Sequence, residues 1–264
     1  MNGYPRTVLK LLVAAIAVLA FPAAALSVGQ SATVGQSAAV SQSPPKAVVG
    51  AGTINVPTLL VRKAPNGSSS VIARLSEFRP QDYRPRAILA IGSKMAAPAK
   101  RKPGSAKVAT STTPAWYKIA VPGRPNGRTG WVKAKEVSIR PMPWQVVVFR
   151  GSRVLQLWKG KQLVYTNRVA VGAPGMETPL GLYYVTVRFK PIREPFLGAF
   201  AFELSAYSKL SDWPGGGVVG LHGWNDPSVL GKAVSHGCIR VSNATAAFLR
   251  DRIPVGTPIR VVAT

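Results

Sequence analysis

The run Gln145-Val146-Val147-Val148-Phe149, Gly151-Ser152, Val154-Leu155-Gln156-Leu157-Trp158, Lys159-Gly160, Leu163-Val164-Tyr165 alternates β-branched and aromatic stretches with short turns. Val169-Ala170-Val171-Gly172 and Leu182-Tyr183-Tyr184-Val185-Thr186-Val187 extend the same pattern. Hairpins in such close succession predict an antiparallel meander or a barrel-like sandwich. One good helix candidate follows at 243–252, where Ser242 or Asn243 can cap and Phe248 and Leu249 offer an apolar face. Ile259-Arg260-Val261-Val262 closes the chain with a strand. The fold class is mainly β, with one main helix.

Upstream lies a second β-rich stretch. Thr58-Leu59-Leu60-Val61-Arg62 reads as a strand, and Ala64-Pro65-Asn66-Gly67 as the turn after it. Trp116-Tyr117-Lys118-Ile119-Ala120-Val121 and Gly130-Trp131-Val132 add two more strands across a Pro/Gly/Asn turn. The interruption at 94–114 carries Lys94, Lys100, Arg101, Lys102 and Lys107 with no acid, and reads as a basic inserted loop whose charges repel one another. A more specific reading makes it a contact for anionic polymers. The Asn66-Gly67-Ser68 and Asn243-Ala244-Thr245 sequons are a turn and a helix start rather than glycosylation signals.

The first residues have a different character. Arg6 and Lys10 precede the uncharged run Leu11-Leu12-Val13-Ala14-Ala15-Ile16-Ala17-Val18-Leu19-Ala20-Phe21, and Ala23-x-Ala25 has cleavage-site spacing, so 1–25 reads as a signal peptide. An uncleaved anchor is the alternative. Either way the bulk of the chain is expected outside the cytoplasm, with membrane contact only through this segment. Small polar residues over 26–51 read as a flexible tether. The chain has 264 residues, 47% of them hydrophobic, which permits two packed domains. Its 34 Lys and Arg against 9 Asp and Glu give a net charge of +25, a surface that attracts polyanions. With an export signal, the polyanion expected is in the cell envelope, not a nucleic acid.

The chain holds 1 cysteine, Cys238, and 2 histidines, His222 and His236, all in one short segment: Gly220-Leu221-His222-Gly223-Trp224 and Ser235-His236-Gly237-Cys238-Ile239-Arg240. A single thiol in an exported protein cannot form an internal disulfide. A free thiol has a pKa of ~8.5, so it needs a neighbouring imidazole to become a nucleophile near neutral pH. Gly237 removes a side chain beside the thiol, and the amides around Gly237 and Cys238 are candidate donors to an oxyanion. Two other readings remain. His222, His236 and Cys238 supply three zinc-ligand types, although the paired C-x-x-C spacing is missing. An inert buried cysteine fits poorly with its polar neighbours.

Three motifs resemble the L,D-transpeptidase family: Ser235-His236-Gly237-Cys238-Ile239-Arg240 with His222-Gly223 ahead of it, Thr178-Pro179-x-Gly181, and Gly216-Gly217-Val218-Val219-Gly220-Leu221. Pro254-Val255-Gly256-Thr257-Pro258 extends the resemblance, which places that catalytic domain at 144–264. Leu60-Val61-Arg62-x-x-Pro65 and Gly130-Trp131-Val132 similarly resemble a bacterial Src-homology-3-like barrel over 52–140. The first resemblance implies a cysteine acyltransferase of the cell wall that works on peptidoglycan stem peptides and needs no cofactor or metal. Cys238 would attack the carbonyl of the L-centre of a diamino acid at position three, release D-Ala, and pass the acyl group to a side-chain amine as a 3→3 cross-link. His222 would be the proton carrier, with His236 beside the nucleophile. Ser235, Gly237 and Gly223 would shape the oxyanion and substrate site, and Arg240 would hold a substrate carboxylate. No acidic partner for His222 is evident, so a backbone carbonyl is the expected orienting group. Water as acceptor would make the protein a carboxypeptidase, and a protein amine would make it a wall-anchoring enzyme. A degenerate site would leave only a wall-binding module.

Overall fold

The structure is a computed structural model that describes residues 43–97, 113–212 and 214–264. The expected signal peptide, the tether up to residue 42 and the centre of the basic insertion lie outside the described residues. No helix among the described residues is long and apolar enough to cross a membrane.

Seven strands build the first sheet: β1 (Gly50–Ile54), β2 (Thr58–Arg62), β3 (Val71–Ser76), β4 (Ala87–Met95), β5 (Pro114–Ala120), β6 (Thr129–Lys133) and β7 (Val137–Arg140). Their order is β3-β2-β6-β5-β4-β1-β7, and every pairing is antiparallel. Leu59, Val61, Ile88, Ile119 and Val132 are fully buried in its core. The basic insertion joins β4 to β5, where Met95 pairs with Pro114. The first strand takes in Gly50 and Ala51, which composition assigns to the tether. A Cβ at Gly50 would stand 2.1 Å from the Arg140 carbonyl oxygen, so only glycine lets the two backbones pair this closely.

The second sheet contains β8 (Trp144–Phe149), β9 (Val154–Lys159), β10 (Gln162–Arg168), β12 (Gly181–Phe189), β13 (Ala201–Tyr207), β14 (Val218–Trp224), β16 (Ile239–Ser242) and β17 (Pro258–Val262). The order β10-β9-β8-β17-β12-β13-β14-β16 departs from the expected meander. Closing strand β17 lies parallel to β8, and β16 lies parallel to β14. The stretch at 169–172 joins this sheet only through an isolated antiparallel bridge from Ala170 to Arg240 of β16. It yields β11 (Val171–Gly172), which pairs in parallel with β15 (Ala233–Ser235). The only α-helix among the described residues is α1 (Asn243–Arg250), whose first turn is capped by Ser242 Oγ accepting from the Thr245 amide at 3.1 Å.

Strand alternation then divides the sheet into two faces. Val185, Leu204, Val219, Leu221, Ile239 and Val241 point inward to one core, which Ala246 and Leu249 of α1 complete. The residues between them, Tyr184, Glu203, Ser205, Gly220, His222 and Cys238, share the outer face of β12, β13, β14 and the start of β16. The first sheet packs against part of that face. Ala51, Ala87, Leu89 and Ala120 close around Tyr184, and Arg79 forms an ion pair with Glu203 at 2.7 Å. Asn126 exchanges two hydrogen bonds with the backbone of Tyr207, and Arg124 donates to the Ser208 carbonyl at 2.6 Å. The outer face that carries the chemistry-bearing residues is therefore roofed by the first sheet rather than fully open.

Candidate active site

The parallel ladder pairs His222 with Arg240, one residue on from Leu221 and Ile239. Going back one step sets Cys238 beside Gly220, so alternation places thiol and imidazole on one face of neighbouring strands. The point where a Cβ on Gly220 would stand is 3.7 Å from Cys238 Sγ and 3.5 Å from His222 Cδ2. Glycine keeps that gap open. The Gly220 amide also donates to Cys238 Sγ at 3.3 Å.

His222 is only 3% exposed. Its Nδ1 lies 2.8 Å from the Gly223 carbonyl, which can only accept, so Nδ1 carries the proton and Nε2 holds the lone pair. The orienting group is thus a backbone carbonyl. Burial disfavours the imidazolium, and the nearby Arg240 charge adds to that effect. Together they outweigh the Gly223 bond and hold the His222 pKa at about 4. Burial likewise pushes the Cys238 thiol up, while the Gly220 amide and Arg240 pull it back in part. Near neutral pH the resting pair is thiol and neutral imidazole.

The turn before the nucleophile is fixed by two hydroxyls. Thr178, fully buried, donates to the Gly237 carbonyl at 2.9 Å and accepts from the Gly172 amide at 2.9 Å. Ser235 donates to the Cys238 carbonyl at 2.6 Å and accepts from the Gly237 amide at 3.2 Å. A trans peptide sets C=O and N–H antiparallel, so tying Gly237 O to Thr178 turns the Cys238 amide the opposite way. Gly237 itself sits at φ 116°, and a Cβ there would stand 2.8 Å from Ser208 Cβ. Its lack of a side chain answers to backbone conformation and to the closeness of Ser208.

Several sequence expectations change as a result. Ser235 is fully buried with its hydroxyl bound on both sides, so it shapes the turn. The Gly237 amide is given to Ser235 and is not a free oxyanion donor. Gly223 is buried beneath α1, where a Cβ would meet Asn243 Oδ1 at 2.3 Å, and it acts through its carbonyl on His222. His236 is exposed and lies outside the cleft that holds Cys238 and His222. Arg240 stacks its guanidinium 3.7 Å above the Trp224 ring, flanking the pair instead of lining the cleft. No group of three or more His, Cys, Asp or Glu with metal-holding geometry occurs among the described residues.

Thr178 was visible in the sequence only as one letter of a motif. Thr178→Val keeps the shape but strands the Gly237 carbonyl and Gly172 amide, and should cost ~2–4 kcal/mol. Urea unfolding checks this. Turnover should fall with it, and Thr178→Ser should restore most of both.

A cleft of about 490 Å³ runs over the outer face, lined by Cys238, His222, Gly220 and Glu203 on one side and by Arg79, Arg86 and Pro122 of the first sheet on the other. Fold and site together define a mainly β protein with a thiol and an imidazole facing a peptide-sized cleft. The L,D-transpeptidase catalytic domain profile, YkuD, matches residues 143–261. A candidate L,D-transpeptidase YkuD of Bacillus subtilis strain 168 is 31% identical over 143 residues, covering 54% of this chain and 73% of the relative. One from Bacillus licheniformis is 34% identical over 120 residues, covering 46% of this chain and 66% of the relative, just under two thirds. The chain belongs to the L,D-transpeptidase catalytic domain family. Among solved structures, an L,D-transpeptidase from Mycobacterium tuberculosis H37Rv is similar at 17% identity and a TM-score of 0.38, covering 51% of this chain and 65% of that one. So slight a likeness adds nothing to the assignment, which rests on the sequence relatives.

Proposed function

We propose that the protein is an exported peptidoglycan L,D-transpeptidase that forms 3→3 cross-links through a thioester on Cys238. The observation that carries this reading is the empty position above Gly220, flanked by the Cys238 sulfur and by an imidazole whose Nδ1 is locked on Gly223. The sulfur attacks the L-centre carbonyl of a position-three diamino acid as His222 Nε2 takes the thiol proton. The Cys238 amide faces the developing oxyanion. Collapse breaks the amide bond, and the departing D-Ala amine takes the proton from His222. The side-chain amine of a second stem then attacks the thioester and gives a proton to His222, which returns it to the sulfur. One amide is broken and one is made.

The first sheet, in this reading, is the Src-homology-3-like adaptor. Export by the leading segment puts the enzyme in the cell wall or periplasmic space, where its basic surface holds anionic wall polymers. The test is incubation of the purified full chain with tetrapeptide-stem muropeptides, expected to release D-Ala in step with 3→3 dimers. A carbapenem should add its mass to the intact folded protein. Tripeptide products alone would make water the acceptor, and absence of both D-Ala release and adduct would overturn the proposal.

A further inference from the structure

The first sheet reaches toward the nucleophile through the turn that joins β5 to β6. In that turn Arg124 donates from Nη1 to the Ser208 carbonyl at 2.6 Å, and from Nη2 to the Leu210 and Gly216 carbonyls at 3.0 and 3.1 Å. Its guanidinium carbon also lies 5.3 Å from the centre of the Tyr207 ring. All these partners belong to the end of β13 or to the β13–β14 connection. Asn126, in the same turn, donates to the Tyr207 carbonyl at 2.7 Å and accepts from the Tyr207 amide at 3.0 Å. A guanidinium is a rigid planar fork, so carbonyls that it binds together are held at fixed separations.

The two ends of that connection lead to the two halves of the site. At the first end, Ser208 is buried against the nucleophile's turn, since a Cβ on Gly237 would stand 2.8 Å from Ser208 Cβ. At the other end β14 begins at Val218, with Gly220 and His222 following. The ends close on each other through the Ser208 amide, which donates to the Gly217 carbonyl at 2.8 Å. Gly217 sits at φ 79°, where a Cβ would meet the Leu210 carbonyl oxygen at 1.8 Å, so the closure is tight. Arg124 is exposed and does not line the catalytic cleft, whereas Tyr207, Gly215 and Val218 do.

We infer that Arg124 is a positioning residue for acyl transfer, fixing from the first sheet the spacing between the Gly237–Cys238 turn and the strand that carries Gly220 and His222. This rests on the transpeptidase reading above and gives the first sheet a part in the chemistry beyond that of an adaptor. The test is the second-order rate at which a carbapenem acylates the full chain, followed by intact mass. A free small molecule needs no wall contact, so a sheet that only bound wall would leave this rate unchanged in every variant. Arg124→Ala should lower it roughly 10- to 100-fold while circular dichroism and the thermal midpoint report a folded protein. Arg124→Lys, which keeps the charge but not the fork, should recover part of the rate. Millimolar guanidinium should speed acylation of Arg124→Ala several-fold and leave wild type unchanged, because the exposed seat admits the free ion; a loosened fold would not respond in that way. Should Arg124→Ala not fold, Arg124→Gln carries the same rate comparison against Arg124→Lys. A folded variant acylated as fast as wild type overturns the positioning role alone, and so does a slowed Arg124→Ala that neither lysine nor guanidinium restores. A wild type that is never acylated overturns the transpeptidase reading, and the positioning role with it.

Discussion

Cys238→Ala is expected to abolish cross-linking and carbapenem capture, with kcat/KM falling ~1,000-fold or more while the fold stays intact. The fold should survive because the side chain makes one weak polar contact, the 3.3 Å bond from the Gly220 amide, and the neighbours that hold the turn are Thr178 and Ser235. Losing one such bond costs ~1 kcal/mol or less, a small shift in thermal unfolding. Cys238→Ser should be nearly as inactive. An imidazole held at about 4 is a weak base, and a hydroxyl is far harder to deprotonate than a thiol, even one that burial has pushed up. Intact mass after carbapenem treatment, beside turnover of tetrapeptide stems, separates the outcomes. Cross-linking that persists in a folded Cys238→Ala protein would remove the thiol from the chemistry.

The strand content and the helix at 243–250 were legible because their signals are local: apolar alternation, two-residue turns and a serine cap. The site was partly legible for the same reason. Ile239 and Val241 point inward, so Cys238 and Arg240 must point outward once that segment is a strand. The parallel pairing of β14 with β16 was not legible, since hairpin logic supplies only antiparallel neighbours and no crossover helix marks the join. Nor was the role of Thr178, whose acceptor lies 59 positions further along the chain. The roof over the cleft depends on contacts such as Arg79 with Glu203, separated by 124 positions, and no window of sequence contains both. The substrate-side roles of Ser235 and Arg240 come from the family resemblance alone, since nothing local in the sequence shows burial or stacking. The structure adds that the first is buried and the second stacks on Trp224.

His222→Gln is expected to lower turnover ~100- to 10,000-fold and, independently, to change how stability responds to acid. The native imidazole titrates at about 4, below the ordinary histidine value of ~6.5. Between those values the unfolded chain binds more protons than the native one at this residue, so unfolding free energy rises with pH. Acidifying wild type from 6.5 to 4 should therefore cost about 3 kcal/mol from this group alone. Carboxylates held low, such as Glu177 at about 2 through its bond from Lys209, act with the same sign but in a lower window, losing their contribution only below an ordinary value of ~4.3. The interval from 4.5 to 6.5 is thus where His222 can be read. Urea midpoints should climb across it in wild type and climb much less in His222→Gln. The acid limb of kcat/KM should fall near 4, where Nε2 is filled by a proton, instead of near the ordinary histidine value. A limb near 6.5, with equal stability slopes in wild type and His222→Gln, would mean that the imidazole is not the desolvated base the cleft requires.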